Sequence, residues 1–314
     1  MRVLFRGVRG SYPLPLRPEA VKRKISAVVQ RLRVNDLESQ ESRELFLKKL
    51  PETLFGTVGG NTSCVEVRLK NNALLIFDCG SGLRALEADV RKRKESLKEI
   101  HIFFSHFHYD HLTGLPYFGF LFDSSVDVYF YSPLLDLKEK LEIFLKSPYH
   151  PVGLDVFSAK LHFVHLKGTK IKISNASISW ILRNHPDECY AYAVEEDEKK
   201  VIYSTDTEIT TSDFNGNFKT DLFFKKADAI ILDGQYTLGE SIEKNNWGHT
   251  SYSMAVDFAL EHKIKRLFLF HHEPLYDDSK LEGILRSARW YCQRAVKNSS
   301  LFIDLAREDR ELIL

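Results

Sequence analysis

An α/β sandwich in four layers, two mixed β-sheets face to face with helices outside them, is the fold class this sequence predicts. Three observations lead there. Short β-prone runs alternate with segments of helical periodicity, the second half of the chain repeats the style of the first, and no Gly/Ser-rich linker or low-complexity tract interrupts the 314 residues. One domain over residues 1–314 is therefore expected, and 44% hydrophobic content is enough for it to bury a large core.

Met1 to Val8 has strand character and ends in the turn-rich run Arg9-Gly10-Ser11-Tyr12-Pro13. From Pro18 to Leu32 the apolar residues Val21, Ile25, Val28, Val29 and Leu32 recur at helical spacing, and Leu37 to Leu50 repeats the pattern. These two helices form an expected N-terminal insertion at about 18–50, suited to a lid or to the interface of a homodimer, with its charges on a solvated face. Ser63 to Leu69 alternates with period two, Asn71-Asn72 supplies a turn, and Ala73 to Phe77 completes a hairpin. A helix from Leu83 to about Lys94 leads to the apolar strand Ile102-Phe103-Phe104. Beyond it lie a strand at Val126 to Tyr131, a helix near Leu134 to Lys146, and strands near Leu161, Ile171 and Ile178. Strands at Val201 to Ser204, Ala229 to Leu232 and Leu267 to Phe270 follow, with helices from Ser251 to His262 and near Asp278 to Val296.

Composition narrows the function. Lys+Arg 44 against Asp+Glu 43 leaves a net charge of +1, which argues against an extended nucleic-acid footprint or an anionic membrane surface as partner. The N-terminus lacks the apolar core of a signal peptide, and no run reaches the length of a membrane span. Cys64, Cys79, Cys189 and Cys292 are scattered, with no Cys-x-x-Cys, as in chains that keep reduced thiols. The cytoplasm is the expected compartment.

The densest chemical signal is His106-Phe107-His108-Tyr109-Asp110-His111, which sets four metal-ligand side chains within six residues just beyond a strand. Three imidazoles and a carboxylate so crowded would repel as cations or lie unsatisfied when buried, whereas divalent cations turn all four into stabilising contacts. This spacing resembles the metal motif of the metallo-β-lactamase-fold hydrolases. The resemblance implies that His106 and His108 serve one metal and Asp110 and His111 a second. A two-metal site needs about six or seven protein ligands, so more are expected downstream. His185, Asp206 and His271 each follow an expected strand and match, in order, a terminal ligand of the first metal, a bridging carboxylate and a terminal ligand of the second. If Leu267 to Phe270 is the strand, His271 is the ligand and His272 stands behind it or meets substrate.

Phe77-Asp78-Cys79-Gly80-Ser81-Gly82 resembles the family's Asp-x-Gly-x-Gly element, where Asp78 would accept a hydrogen bond from a ligating imidazole and fix its tautomer. Gly59-Gly60-Asn61-Thr62 matches an element in which Asn61 ties loops together. Trp247-Gly248-His249-Thr250-Ser251 resembles the Gly-His-Ser/Thr element of the phosphodiesterase branch, including the tRNA 3′-processing endonucleases. There His249 would protonate the departing alkoxide; the competing reading makes Thr250 or Ser251 a helix cap and His249 incidental.

The resemblance implies two divalent cations, zinc first and manganese or iron also compatible, and attack by a bridging hydroxide with Asp110 and His249 as catalytic groups. The expected substrate is a small or cyclic nucleotide phosphodiester. Two alternatives stay open: a ribonuclease Z-like nuclease, and a lactone or thioester hydrolase on the same fold. Tyr117, Phe118, Phe120 and Phe122 after the motif have the chemistry to stack on a base, or simply to fill the core.

Overall fold

The computed structural model describes residues 1–214 and 218–314. The strands β1 (Arg2–Gly7), β2 (Cys64–Arg68), β3 (Leu74–Phe77), β4 (Glu99–Phe103), β5 (Asp127–Ser132) and β6 (Lys160–His165) belong to a first sheet. A second sheet holds β7 (Lys170–Ile173), β8 (Ala176–Arg183), β9 (Cys189–Glu196), β10 (Lys199–Ser204), β11 (Ala229–Asp233), β12 (Arg266–Phe270) and β13 (Phe302–Leu305). The last strand, β14 (Glu311–Ile313), returns to the first sheet and pairs antiparallel with β1.

Each sheet has seven strands, in the orders β14-β1-β2-β3-β4-β5-β6 and β13-β12-β11-β10-β9-β8-β7. Both are mixed in the same way. β3 to β6 run parallel, as do β10 to β13, while antiparallel strands complete each sheet. The mixed sandwich expected from the alternating runs is what the chain forms.

The helices are α1 (Pro18–Val29), α2 (Gln40–Lys49), α3 (Glu52–Phe55), α4 (Leu83–Lys92), α5 (Leu137–Phe144), α6 (Phe218–Phe224), α7 (Leu238–Glu243), α8 (Tyr252–Glu261) and α9 (Asp278–Ala295). Period-two alternation decides which side chain meets which layer. Leu74 and Ile76 of β3, Ile100 and Ile102 of β4, and Val128 and Phe130 of β5 join Leu83, Leu86, Leu137 and Leu141 of α4 and α5 in one apolar cluster. Their neighbours Leu75, Phe77, Phe103 and Tyr131 point the other way, into the cluster shared with the second sheet and with α8 and α9.

Three departures from the sequence reading have physical causes. β9 alternates Tyr190 and Tyr192 with small Ala191 and Ala193, so its run Cys189 to Val194 is poor in the β-branched residues that mark the other strands. β13 and β14 are four and three residues long, too short for periodicity to show. The segment expected as an insertion, about 18–50, forms α1 and α2, the one-turn α3 follows it, and none of the residues of these helices is buried. Their apolar stripe instead lines an open groove between Val21, Ile25 and Val29 on one side and Leu54 and Phe55 on the other. Lys24 pins α1 to the body, its Nζ 2.6 Å from Asp278 at the start of α9. Among the described residues no helix is long and apolar enough to cross a membrane.

Candidate metal centre

Strand direction gathers the site. Asp78 follows β3, the His106 to His111 loop follows β4, His185 follows β8, Asp206 follows β10, Asp233 closes β11 and His271 follows β12. Within each sheet these strands point the same way, so their last residues share one rim. Asp78, Asp206 and His271 each take a left-handed backbone conformation, at φ 59°, 43° and 56°. Such a turn directly after a strand swings the side chain out of the pleat and across the rim. Non-glycine residues adopt it at a cost of order 1 kcal/mol, which the surrounding contacts must offset.

The structure brings together all seven residues expected as ligands. Ligand-type atoms of His106, His108, His185 and Asp206 fall within 4.8 Å of one another, and so do those of Asp110, His111 and His271. Asp206 links the two groups. Its Oδ1 lies 3.3 Å from both His111 Nε2 and His271 Nε2, and its Oδ2 lies 3.7 Å from His106 Nε2. Asp110 Oδ2 is 3.2 Å from His111 Nε2 and from His271 Nε2, and His185 Nε2 is 3.4 Å from His108 Nδ1. Ligand atoms held about 2.0–2.1 Å from a tetrahedral ion stand roughly 3.3–3.4 Å apart, so these separations match the edges of coordination polyhedra.

The other nitrogen of every imidazole meets an oxygen. His106 Nδ1 bonds Ser105 Oγ at 3.0 Å, His108 Nε2 bonds Asp187 Oδ2 at 2.7 Å, and His111 Nδ1 bonds Asp78 Oδ2 at 2.7 Å. His185 Nδ1 bonds the Gly248 carbonyl at 3.1 Å, and His271 Nδ1 bonds Gln235 Oε1 at 3.3 Å. An oxygen acceptor keeps the proton on the outer nitrogen and turns the inner lone pair toward the cluster. His106 Nε2 and His111 Nε2 are buried there with no hydrogen-bond partner within the protein. Buried orphaned nitrogens, two carboxylates and fixed tautomers together fit divalent cations held by these side chains.

Burial opposes a charged His111, yet Asp110, Asp206 and Asp78 beside it raise its pKa well above the ordinary imidazole value, so the carboxylates of the cluster draw positive charge to its centre. Burial works against the ionised forms of Asp206 and Asp110, yet His271 and His111 beside Asp206, and His111 and His271 beside Asp110, hold both well below the usual carboxylate range. Burial, reinforced by His111, pushes His106 well below the ordinary imidazole value and leaves its lone pair available.

Asp78 does more than touch one imidazole. Besides His111, its carboxylate accepts from the Ser105 amide at 2.8 Å, Ser105 Oγ at 2.6 Å and the Tyr203 hydroxyl at 2.7 Å. Asn61 joins loops as expected, donating to Glu308 and accepting from Ser81. His272 turns away from the cluster: its Nε2 meets the Ala306 carbonyl at 2.9 Å, and its backbone bonds Val8 and Gly10. It is buried, and burial pushes its pKa down to about 3. His272 therefore packs against the chain's end instead of facing the cavity where substrate would lie.

His249 sits at the edge of the cluster, its ring stacked on that of His271 with centroids 4.9 Å apart. Its Nδ1 bonds Asp233 Oδ2 at 2.7 Å, and Asp233 is itself held by the amides of Gln235 and Thr250. Burial opposes the imidazolium, but Asp233, by charge and hydrogen bond, outweighs it and raises the pKa. Ser251 caps α8 as the competing reading expects, its Oγ accepting from the Met254 amide. His249 also falls within 4.8 Å of ligand-type atoms of Asp206 and His271.

Sequence pattern does not single out Asp233, Asp187, Ser105, Gln235 or Tyr203. Asp233 carries the clearest signal of the five, since it closes an apolar strand as Asp78 and Asp206 do. Arg9 stands in the run Gly7-Val8-Arg9-Gly10-Ser11, which resembles the phosphodiesterase branch, but its role is not legible there. Buried, it donates to the carbonyls of Gly59, Glu273 and Tyr276 and so fixes the loop that follows His271. Gly10 lets that loop close: a Cβ there would stand 2.5 Å from His271 Cε1.

A family model described as a beta-lactamase superfamily domain matches residues 74–272. The chain is 27% identical over 259 residues to a ribonuclease Z of Picrophilus torridus, a match covering 67% of this chain and 80% of that protein. Among solved structures, the metallo-beta-lactamase fold protein YhfI from Bacillus subtilis superposes with a TM-score of 0.64 at 16% identity, covering 99% of this chain and 98% of the other. A diphosphatase of the PhnP family superposes with a TM-score of 0.62 at 17% identity, covering 100% and 97%. At such identities the two superpositions speak for the fold alone.

Proposed function

The chain belongs to the β-lactamase superfamily, and from that premise we propose that it is a metal-dependent phosphodiesterase acting on a small or cyclic nucleotide diester. One observation carries the proposal: a carboxylate, Asp206, that turns one oxygen to each of two ligand groups, with the Asp233–His249 pair beside it.

His106, His108, His185 and Asp206 would hold one cation, and Asp110, His111, His271 and Asp206 a second. The imidazole-rich set suits zinc, and manganese or iron also accepts it. When bound, such cations supply activated water near neutral pH and offset the charge of the phosphate. The chain's own residues do the rest. Asp78, Asp187, Ser105, Gln235 and the Gly248 carbonyl hold the five imidazoles in fixed tautomers. Asp110, itself anchored by the Ser11 amide at 2.9 Å, would accept a hydrogen bond from the attacking water. Asp233 occupies His249 Nδ1, so Nε2 is the nitrogen left to hand a proton to the departing alkoxide, which leaves poorly without one.

A second reading, processing of an RNA end, is supported by the 27% identity to a ribonuclease Z over four fifths of that protein's length. The test is turnover by metal-loaded protein of bis(p-nitrophenyl) phosphate, cyclic nucleotides and an RNA with a 3′ extension. Small diesters should be hydrolysed, Asp110→Ala should be inactive, and His249→Ala should lose about 10²–10³-fold in kcat with its metal content unchanged. Full turnover by metal-free protein, or cleavage only of lactones or thioesters, would refute the proposal. RNA cleaved far faster than any small diester would favour the second reading.

A further inference from the structure

A cavity of about 700 Å³ opens from the cluster, with His106 and His108 forming part of its wall. Its volume is that of a small-ligand site, for which roughly 300–1,000 Å³ is usual. The motif loop, α5 and the segment after it, and the turn after β8 supply the remaining wall. Three tyrosines rim it: Tyr109, Tyr117 and Tyr149 are 66%, 61% and 77% exposed. A single exposed tyrosine is ordinary, but three around one cavity continuous with the reacting centre form a surface for a planar ligand.

Two of these rings are braced edge-on. Tyr109 meets Phe144 at 67° with centroids 5.9 Å apart, and Tyr117 meets His150 at 83° and 5.8 Å. Perpendicular contacts of this kind restrict how each ring can turn. By contrast Phe118 and Phe120, which the sequence offered equally, are buried in the core. Lys140, its Nζ 5.2 Å from the Phe107 ring centre, and Glu188 place a donor and an acceptor in the same wall, the two group types that the edge of a base requires.

We infer that this cavity receives the nucleobase of the diester, stacked on Tyr117 and Tyr149 while the phosphate lies at the cluster. The inference rests on the diesterase reading above and adds which part of the substrate sets specificity. Aliphatic substituents would gain little from tyrosine faces, whereas stacking of a base on an aromatic side chain corresponds to roughly tenfold or more in affinity.

The test compares adenosine 5′-(methyl phosphate) with ribose 5-(methyl phosphate), which share the scissile ester and differ only in the base. Metal-loaded full-length protein should show a kcat/KM ratio of about tenfold or more in favour of the adenosine diester, and the Tyr117→Ala/Tyr149→Ala double variant should bring that ratio toward one. Calorimetric binding of adenosine 5′-monophosphate against ribose 5-phosphate should show the same preference and the same loss, without requiring turnover. Equal kcat/KM for both diesters, or a ratio unmoved in the variant, overturns the base pocket and leaves the diesterase reading intact. Hydrolysis of neither diester, nor of bis(p-nitrophenyl) phosphate and cyclic nucleotides, overturns the diesterase reading, and the calorimetric preference then decides the pocket alone: its presence supports the inference and its absence overturns it.

Discussion

The histidines of this chain occupy contrasting environments. Those of the cluster have an oxygen acceptor behind and carboxylates in front, which is an environment for a cation; His106, His111 and His271 are buried, whereas His108 and His185 are partly exposed. His101 is buried too, but it stacks on Tyr129 and bonds the Tyr131 hydroxyl, and burial pushes its pKa down to about 4. The sign of the consequence follows from linkage. As pH falls below the ordinary imidazole value of 6.5 the unfolded chain takes up a proton that the folded chain refuses, so stability is lost from there down to pH 4 and levels off below. Between pH 8 and pH 5 the loss is about 2 kcal/mol. His101→Gln should remove it, so that urea unfolding of the variant at pH 8 and pH 5 differs by about 2 kcal/mol less than that of the parent. Identical pH slopes for the two proteins would contradict the assignment.

At the level of elements, the site is a property of where strands end. The apolar runs before Asp206 and His271 were legible because buried parallel strands are nearly uniform in hydrophobicity. The loops that complete the site were not, because a turn's approach to a distant side chain leaves no local pattern. Gly248, between α7 and α8, is the clearest case: at φ 83° its carbonyl reaches His185 Nδ1, and a Cβ there would stand 2.1 Å from that nitrogen. Gly248→Ala should displace His185, lowering kcat/KM at least about tenfold together with metal content, while costing only about 1 kcal/mol in backbone strain. Unaltered metal content and turnover in this variant would show that His185 is positioned by other means. Helical insertion residues tell the opposite story. Their periodicity was plain, yet the stripe it marks finds no core to enter, because periodicity specifies a face and not its partner.

Across the whole molecule, the cluster acts as a clasp between the two sheets. Asp78, His106 and Asp110 come from the first sheet's strand ends and His185, Asp206 and His271 from the second's, and Tyr192 of β9 donates to the Phe104 carbonyl at 2.6 Å beside the motif. Cations bound there would tie the halves in the folded state alone, so chelation should lower the melting temperature on the order of 10 °C and abolish diester turnover, with zinc restoring both. Scanning calorimetry before and after chelation, with metal content measured alongside, checks this. An unchanged melting temperature in protein proved free of metal would remove the clasp.

Residue order alone was sufficient for the layered α/β class, the four-residue ligand motif and the strand-end candidates that accompany it. Burial imposes periods of 2 and 3.6, and imidazoles crowded beside a carboxylate are stable chiefly when a cation holds them. Folding was needed to reveal that Asp206 faces both ligand groups, that Asp233 holds His249, that His272 points to Ala306, and that Tyr117 borders a cavity while Phe118 beside it is core. Each of those outcomes depends on separations of a few ångströms between residues far apart in the chain, and local patterns carry no record of such distances.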